Sequence, residues 1–381
     1  TSVVADADVV DAMLAGAVVA ASGVGELTQV ELDRFLAGAD VMVSGSIAPY
    51  TEDLAGRAAV PDLEVLFQLV HLYMTSPRVD PVALDNVAAT YAPLIDDPGS
   101  DPDLAAFDAL YDERYGAEPR LQYLPTPAAF ETLDVDGVER VWRDRFGDAG
   151  DWVFAFSGDF AEDTLVDLAR RYIGTLPATG RDDRWVDVED PPPPGIVERT
   201  VAAGTGERGS LTVLYTSPVE TIDPLDVATA DVVTQLLTTR LTENIREELG
   251  ESYSPFAAIK VYGDPDPVVE TYVSVTGAPD RIDAIGRFVQ ADVAALREGG
   301  PSQDEFDTAV EQVRLDYELY SDPQLIEAVL MAEIDGGVEL DDFAAHTRTL
   351  QRLSIDAVHD FIVEHLPADQ YIEISVLPRD G

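Results

Sequence analysis

The chain has 381 residues, of which 46% are hydrophobic, and this is enough material for two or three domains with their own cores. Its 73 acidic and 24 basic residues give a formal net charge of −49, and a field of that sign disfavours nucleic acids and anionic membrane surfaces as partners. The chain has no cysteine, which excludes disulfides, thiolate metal sites and cysteine nucleophiles.

The first half of the chain is mainly helical in pattern. Thr28 and Glu31 have the spacing of a capping box at the start of a helix, and a strong apolar stripe follows at 63–73. Helices are predicted at 9–21, from 28 onwards, and at 63–73, 85–92, 104–115, 134–146 and 164–173, with strands at 41–44 and 152–157. The proline-rich stretch 181–195 predicts an extended linker between a first domain, 1–180, and a second, 196–381.

The second half has more β character. Strands are predicted at 197–201, 211–215 and 371–377 and on both sides of a turn at 263–267, with helices at 233–249, 280–297, 303–320, 341–350 and 355–364. Each half contains a strand, loop and helix module, at 154–170 and at 273–289. We therefore predict an α+β fold of two similar domains, each a mostly antiparallel sheet covered by helices.

No segment predicts a catalytic or metal centre. The glycines of 204–209 fit GxGxxG, but a strand follows where a dinucleotide site needs a helix, so we expect a hairpin loop. His359 and His365 are six residues apart, which places them on different faces of a helix, and the other two histidines are His71 and His346. No apolar run approaches the roughly eighteen residues of a membrane span, and Thr1 opens no signal peptide. We expect a soluble chain, with any export signal upstream.

One corner of the second half places a cation beside an aromatic hydroxyl. An apolar stripe ends at Leu249, Gly250 can close the helix, and β character begins at Tyr253. Arg246 lies in the last helical turn, where the helix dipole favours a cation. The two side chains could hold a peptide carbonyl in one cleft. They could equally be a solvated helix-end arginine and a half-buried strand tyrosine, and local sequence leaves both interpretations open.

The segment 245–255, IREELGESYSP, resembles the Arg/Tyr segment in the non-catalytic C-terminal half of bacterial pitrilysin/insulinase-family (inverzincin) zinc metallopeptidases. The resemblance extends over nearly the whole chain. Further similar segments are 21–27, 62–70, 73–78, 158–160 and 176–177 for the family's third domain, and 236–255 and 300–315 for its fourth. In this family the zinc motif HxxEH lies on the first helix of the first domain, whereas the corresponding helix here carries the entirely apolar stretch 17–21, which departs from a catalytic half and matches the non-catalytic one. Family domains also begin with strands for which Thr1 leaves little room, as expected of a fragment of a longer polypeptide.

The resemblance implies a function for the chain. It would be the zinc-free half of a clamshell that encloses peptides, with Arg246 and Tyr253 binding the substrate backbone and with neither catalytic nor metal residues of its own. Zinc would lie on the partner half, in the same polypeptide or a separate subunit, and an exported or periplasmic location is expected. The alternative is a catalytically inactive binding or assembly subunit of the same fold. A self-sufficient hydrolase with an unrecognised carboxylate pair is a third interpretation.

Overall fold

The structure, a computed structural model, describes residues 2–181, 184–249, 255–263, 266–319 and 346–379, with the backbone alone for 246–249, 319 and 346–347. The chain divides into two compact units. The first contains Thr1–Asp97 and Ala117–Glu189, and the second contains Pro98–Gly116 and Asp190–Gly381. The second unit thus includes a segment that a linear division at the proline-rich stretch assigns to the first.

The first unit is built from helices around a β-hairpin. Its helices are α1 (Val9–Ser22), α2 (Gln29–Phe35), α3 (Leu63–Thr75), α4 (Pro81–Asp96), α6 (Pro127–Phe130), α7 (Val135–Phe146) and α8 (Glu162–Leu168), and its strands are β1 (Val41–Ile47) and β2 (Glu52–Ala58), which pair antiparallel. Thr28 and Glu31 form the predicted capping box of α2. Trp142 and Phe146 stack at 4.0 Å between ring centroids in the buried core of this unit.

The strand predicted at 152–157 is not formed. Its exposure alternates as a strand's does, with Trp152, Phe154 and Phe156 partly buried and the residues between them exposed. None of the described strands pairs with it, so the segment is extended without a hydrogen-bonded ladder. The alternation was a correct signal for backbone conformation, but sequence alone does not supply a neighbouring strand.

The second unit has a five-stranded sheet in the order β3-β7-β4-β6-β5. The strands are β3 (Ile196–Ala202), β4 (Gly209–Pro218), β5 (Phe256–Tyr262), β6 (Val268–Gly277) and β7 (Tyr371–Leu377), and the helices are α5 (Pro102–Tyr115), α9 (Pro224–Leu249), α10 (Ile282–Gly299), α11 (Gln303–Leu319), α12 (His346–Leu350) and α13 (Ile355–His365). Only β3 and β7 are parallel. The predicted α+β class with antiparallel sheets is confirmed.

Both faces of this sheet carry helices. One face forms the main core with α9, α10, α11 and α13, through residues such as Val213, Val273 and Leu237. On the other face, α5 places Ala105, Ala109 and their neighbours against the centre of the sheet. Helix α5 is counted in the second unit because its small residues bury the apolar strand residues on that face.

The glycine-rich loop 203–208 is not a hairpin. It joins β3 to β4, but β7 lies between those two strands in the sheet. The sequence places a strand on each side of the loop correctly, but the strand from the far end of the chain that separates them is not visible locally. Gly204 has φ +65° and lies against Pro102 at the start of α5, so a side chain there would be both strained and crowded.

Candidate functional site

Helix α9 leads into the predicted corner. It begins at Pro224, and the carboxylate of Asp223 accepts the backbone N–H groups of Leu225 and Asp226, as an N-cap does. Its buried stripe includes Val233, Leu237, Leu241 and Ile245, none more than 1% exposed. This stripe fixes the rotation of α9 about its own axis.

Arg246 lies in the last turn of α9, as the sequence predicts. Its side chain lies outside the described residues, as does Tyr253 within 250–254. Strand β5 begins at Phe256, so the segment that contains Tyr253 connects the end of α9 to the start of a sheet strand. Whether the guanidinium and the phenol face one cleft remains a prediction.

Two threonines of α9 join the helix directly to β5. The backbone N–H of Ile259 donates to Thr234 Oγ1 over 3.1 Å, and that of Ala257 donates to Thr238 Oγ1 over 3.4 Å. The two threonines are four helical residues apart, which is a rise of about 6 Å, and their two partners on β5 are two strand residues apart, which is about 6.8 Å. Because these spacings are nearly equal, the two bonds can form side by side. These bonds fix the position of β5 along α9.

A charged network lies on another side of α9, about two turns before its end. Arg240 Nε donates to Asp292 Oδ1 over 2.7 Å and Arg240 Nη1 to Glu305 Oε1 over 2.8 Å, while Asn244 Nδ2 also donates to Asp292. The network borders a cleft of about 180 Å³ between α9 and α11, which is also lined by Glu243, Asp304 and Thr308. The acidic groups around the arginine account for its charge, so this cleft has no unpaired cation to offer a ligand.

Electrostatic coupling in this network favours the charged forms. Burial opposes the charge on Arg240, but its hydrogen bond to Asp292 and the charges of Asp292 and Glu305 outweigh that cost and raise its pKa. Burial likewise acts to raise the pKa of Glu305, but hydrogen bonds from Ser302 and the nearby Arg240 lower it overall. Arg240 and Glu305 therefore stay ionised near neutral pH, and the hydrogen-bonded network braces α9 against α10 and α11.

The histidines with described side chains are all engaged locally. His71 Nδ1 lies 2.8 Å from the Tyr172 carbonyl oxygen, His359 Nε2 lies 2.8 Å from the Arg297 carbonyl oxygen, and His365 Nδ1 lies 2.9 Å from Ser217 Oγ. Burial lowers the pKa of His365. Across the part of the chain that the structure describes, no three histidine, aspartate or glutamate side chains are grouped closely enough to hold a metal ion.

Sequence reasoning missed the residues that surround the corner. Thr234 and Thr238 could not be identified from the sequence, because a threonine within a helix does not indicate which strand its hydroxyl will contact. On the open face of β5, Phe256 and Lys260 are exposed. The alternation along β5 and the unique lysine of the chain were signals that could have drawn attention to that face.

Comparison with known proteins confirms the family resemblance. Residues 142–313 match the sequence model described as "Peptidase M16 inactive domain". The chain is 24% identical over 382 aligned residues to the probable zinc protease PqqL of Escherichia coli (strain K12), covering 96% of this chain and 39% of PqqL. It thus spans about two fifths of the length of that relative.

Solved structures show the same fold. The crystal structure of the periplasmic protease PqqL from Escherichia coli superposes with a TM-score of 0.79 at 20% identity, over 98% of this chain and 42% of that one. The peptidase M16 inactive domain from Pseudomonas fluorescens superposes with a TM-score of 0.80 at 18% identity, over 100% of this chain and 90% of that one. The chain therefore shares the fold of these two proteins.

Proposed function

We propose, from the premise that residues 142–313 carry a peptidase M16 inactive domain, that this chain is the zinc-free half of a peptidase and positions peptides for a zinc centre elsewhere. The match to a domain described as inactive is the observation that carries the proposal. PqqL, a probable zinc protease more than twice as long as the aligned region, supplies the precedent for the arrangement.

The first helix of the chain supports the absence of a catalytic role. The resemblance places the zinc-binding helix of a catalytic half at α1, and this helix presents Val18 and Val19, both fully buried, within the apolar stretch 17–21. Buried valines cannot ligate a metal. In the proposed assembly, zinc on the other half activates water against the scissile carbonyl, and this chain supplies surface and hydrogen-bond donors.

Arg246 and Tyr253 are the proposed donors of this half. The guanidinium and the phenol would donate hydrogen bonds to the substrate backbone or to the oxyanion that develops near the metal. The threonine bonds between α9 and β5 support this role, because they fix β5, which begins three residues after Tyr253, against the helix that carries Arg246. An exported or periplasmic location is part of the proposal, since the structure of PqqL is described as that of a periplasmic protease.

The test is peptide cleavage by the zinc-containing assembly with substitutions in this chain. We expect Arg246→Ala and Tyr253→Phe each to lower kcat/KM by about 10²–10³-fold, the loss typical of removing one oxyanion donor. Arg287→Ala, at an exposed arginine of α10, is the matched control and should leave turnover unchanged. The zinc content of the assembly should be the same for all three variants.

Unchanged turnover in both Arg246→Ala and Tyr253→Phe would remove the proposed donor role. If, in addition, the zinc-bearing half cleaved peptides equally well without this chain, the binding or assembly subunit would be the better description. The two measurements therefore separate the peptide-positioning role from the scaffold role of the same fold.

A further inference from the structure

The sheet of the second unit has an open region on the face that α5 partly covers. The C-terminal end of α5 contacts β6. There Arg114 Nε lies 3.7 Å from Glu270 Oε1, and both side chains are only 5% exposed. The last strand, β5, lies beyond this contact. Its residues on the same face include Phe256, which is 59% exposed, and Tyr262, which is 38% exposed.

Lys260 lies between these two aromatic residues on the same face of β5. It is exposed, it is the only lysine of the chain, and it forms no ion pair with any residue that the structure describes. Its cross-strand neighbour is Glu270, whose carboxylate is already held by Arg114 and by the hydroxyl of Tyr272, which donates over 2.8 Å. This lysine therefore lies between two exposed aromatic rings in a chain with 73 acidic residues.

The free edge of β5 is not open to another strand. The outward N–H groups of Ala257 and Ile259 already donate to Thr238 and Thr234 of α9. A partner that added as a further strand would have to replace these bonds, which native sheets use to protect their edges. A ligand of this region is therefore expected on the face of the strand, across the side chains of alternate residues.

We propose that the open face of β5, formed by Phe256, Ala258, Lys260 and Tyr262, binds a substrate segment in which a carboxylate side chain is flanked by aromatic or large aliphatic residues. The carboxylate would pair with the ammonium of Lys260, and its apolar neighbours would cover the two exposed rings. This inference rests on the proposed peptide-positioning role and names the substrate class of the same half. Charge complementarity argues for this occupant, because Glu270 already pairs with Arg114, and Lys260 has no ion-pair partner among the described residues.

The overall charge of the chain sets the conditions for this binding. A net charge of −49 repels an acidic peptide at long range, whereas the pair with Lys260 acts at contact distance. At about 0.5 M salt the Debye length is only a few ångströms, so the long-range repulsion is screened more strongly than the contact. Binding is therefore best measured at that ionic strength.

The experiment measures fluorescence anisotropy of rhodamine-labelled peptides, acetylated and amidated at their ends, with the full chain. Three peptides differ at one central position between two phenylalanines, which is Glu, Gln or Lys. We expect the Glu peptide to bind most tightly and Lys260→Gln to weaken its binding by about three- to fivefold, the range of one exposed ion pair. Lys260→Glu should weaken it further, and binding of the Gln peptide should change little in either variant.

Two further variants make the outcome decisive. Arg57→Gln removes one positive charge from another exposed strand position, on β2, and should leave binding of the Glu peptide unchanged. Phe256→Ser should weaken binding of the Glu and Gln peptides alike. Any of three results would overturn the inference. The first is an equal loss of affinity for the Glu peptide in Lys260→Gln and Arg57→Gln, and the second is equal affinity of the chain for all three peptides. The third is self-association of the chain that Phe256→Ser abolishes.

The same data separate this inference from the proposed function. If the Glu peptide shows no preference for the chain while Arg246→Ala and Tyr253→Phe still lower turnover in the zinc-containing assembly, only the β5 surface is wrong. If those two variants have no effect while Lys260→Gln selectively weakens the Glu peptide, the surface binds peptides independently of the proposed peptidase role.

Discussion

Asp11 is a buried carboxyl at the junction between α1 and the start of α7. It is 3% exposed, and its Oδ1 accepts the backbone N–H of Asp134 over 3.2 Å. Burial is the largest influence and raises its pKa from 3.8 to about 6, and the charges of Asp134 and Asp8 add to the shift. A side chain at Gly137 would collide with this carboxylate, so the glycine provides the space in which it is buried.

The raised pKa predicts a pH dependence of stability. Because the folded chain holds the Asp11 proton above the pH at which the unfolded chain has lost it, stability from this group falls as pH rises from about 4 to about 6. Asp11→Asn keeps the acceptor without the charge. We expect its advantage in unfolding free energy over the wild type to grow by on the order of 1 kcal/mol between about pH 5 and pH 7.5.

Denaturant unfolding of both proteins at the two pH values measures this difference. Asp159→Asn, at an exposed loop aspartate of the same unit, is the control and should show no comparable change. A constant difference between Asp11→Asn and the wild type at both pH values would mean that the Asp11 carboxyl titrates as an exposed one does.

At the scale of elements, α1 and β1 approach one another through glycines. A side chain at Gly16 would collide with the backbone oxygen of Gly45, and one at Gly45 would collide with the ring of Trp142. Alanine normally stabilises a helix interior relative to glycine. Here the backbone of the strand occupies the space, so the contact between the elements overrides the local preference.

Gly16→Ala should therefore destabilise the first unit by about 1–3 kcal/mol, since helix and strand must separate. Gly299→Ala, near the end of α10 with no neighbouring atom within 4 Å, is the matched control and should stabilise by up to about 1 kcal/mol.

All three tryptophans, Trp142, Trp152 and Trp185, lie in the first unit. Tryptophan fluorescence during denaturation reports on Gly16→Ala, and circular dichroism reports on Gly299→Ala. Equal or greater stability in Gly16→Ala would contradict the close packing of α1 on β1.

At the scale of the whole molecule, charge repulsion is the dominant electrostatic feature. The formal net charge of −49 is spread over surfaces of both units, and several arginines are already committed to acidic neighbours, as Arg240 is to Asp292. Like charges on a folded surface are closer together than in the unfolded chain, which lowers stability. Such an acidic surface is expected of a chain adapted to high salt, in which this repulsion is screened.

Added salt should stabilise the chain. We expect the melting temperature to rise by several degrees between about 0.1 M and 1 M NaCl, because screening reduces the repulsion between exposed carboxylates. Differential scanning calorimetry in NaCl and in KCl, with sorbitol at equal osmolality as an uncharged control, measures the effect. A melting temperature that changes equally in sorbitol, or falls with NaCl, would show that charge repulsion is not what limits stability.

No helix among the described residues is long and apolar enough to cross a bilayer.

The sequence by itself determined what depends on near neighbours along the chain. Three of these features rest on residues within a few turns of one another: the capping box of Thr28 and Glu31, the buried stripe of α9 and the position of Arg246 in its last turn. The family resemblance rests on short segments, each of which is read from adjacent residues. Periodicity and caps act over such distances, so they can be read without a partner in space.

Only the tertiary structure decided which distant segments meet. It placed α5 on the sheet of the second unit, inserted β7 between β3 and β4, left 152–157 without a partner strand among the described residues, and joined Thr234 and Thr238 to β5. It also left Lys260 exposed on an uncovered face. Each of these depends on packing between residues far apart in sequence, because burial and strand pairing are properties of surfaces that form only when the chain has folded.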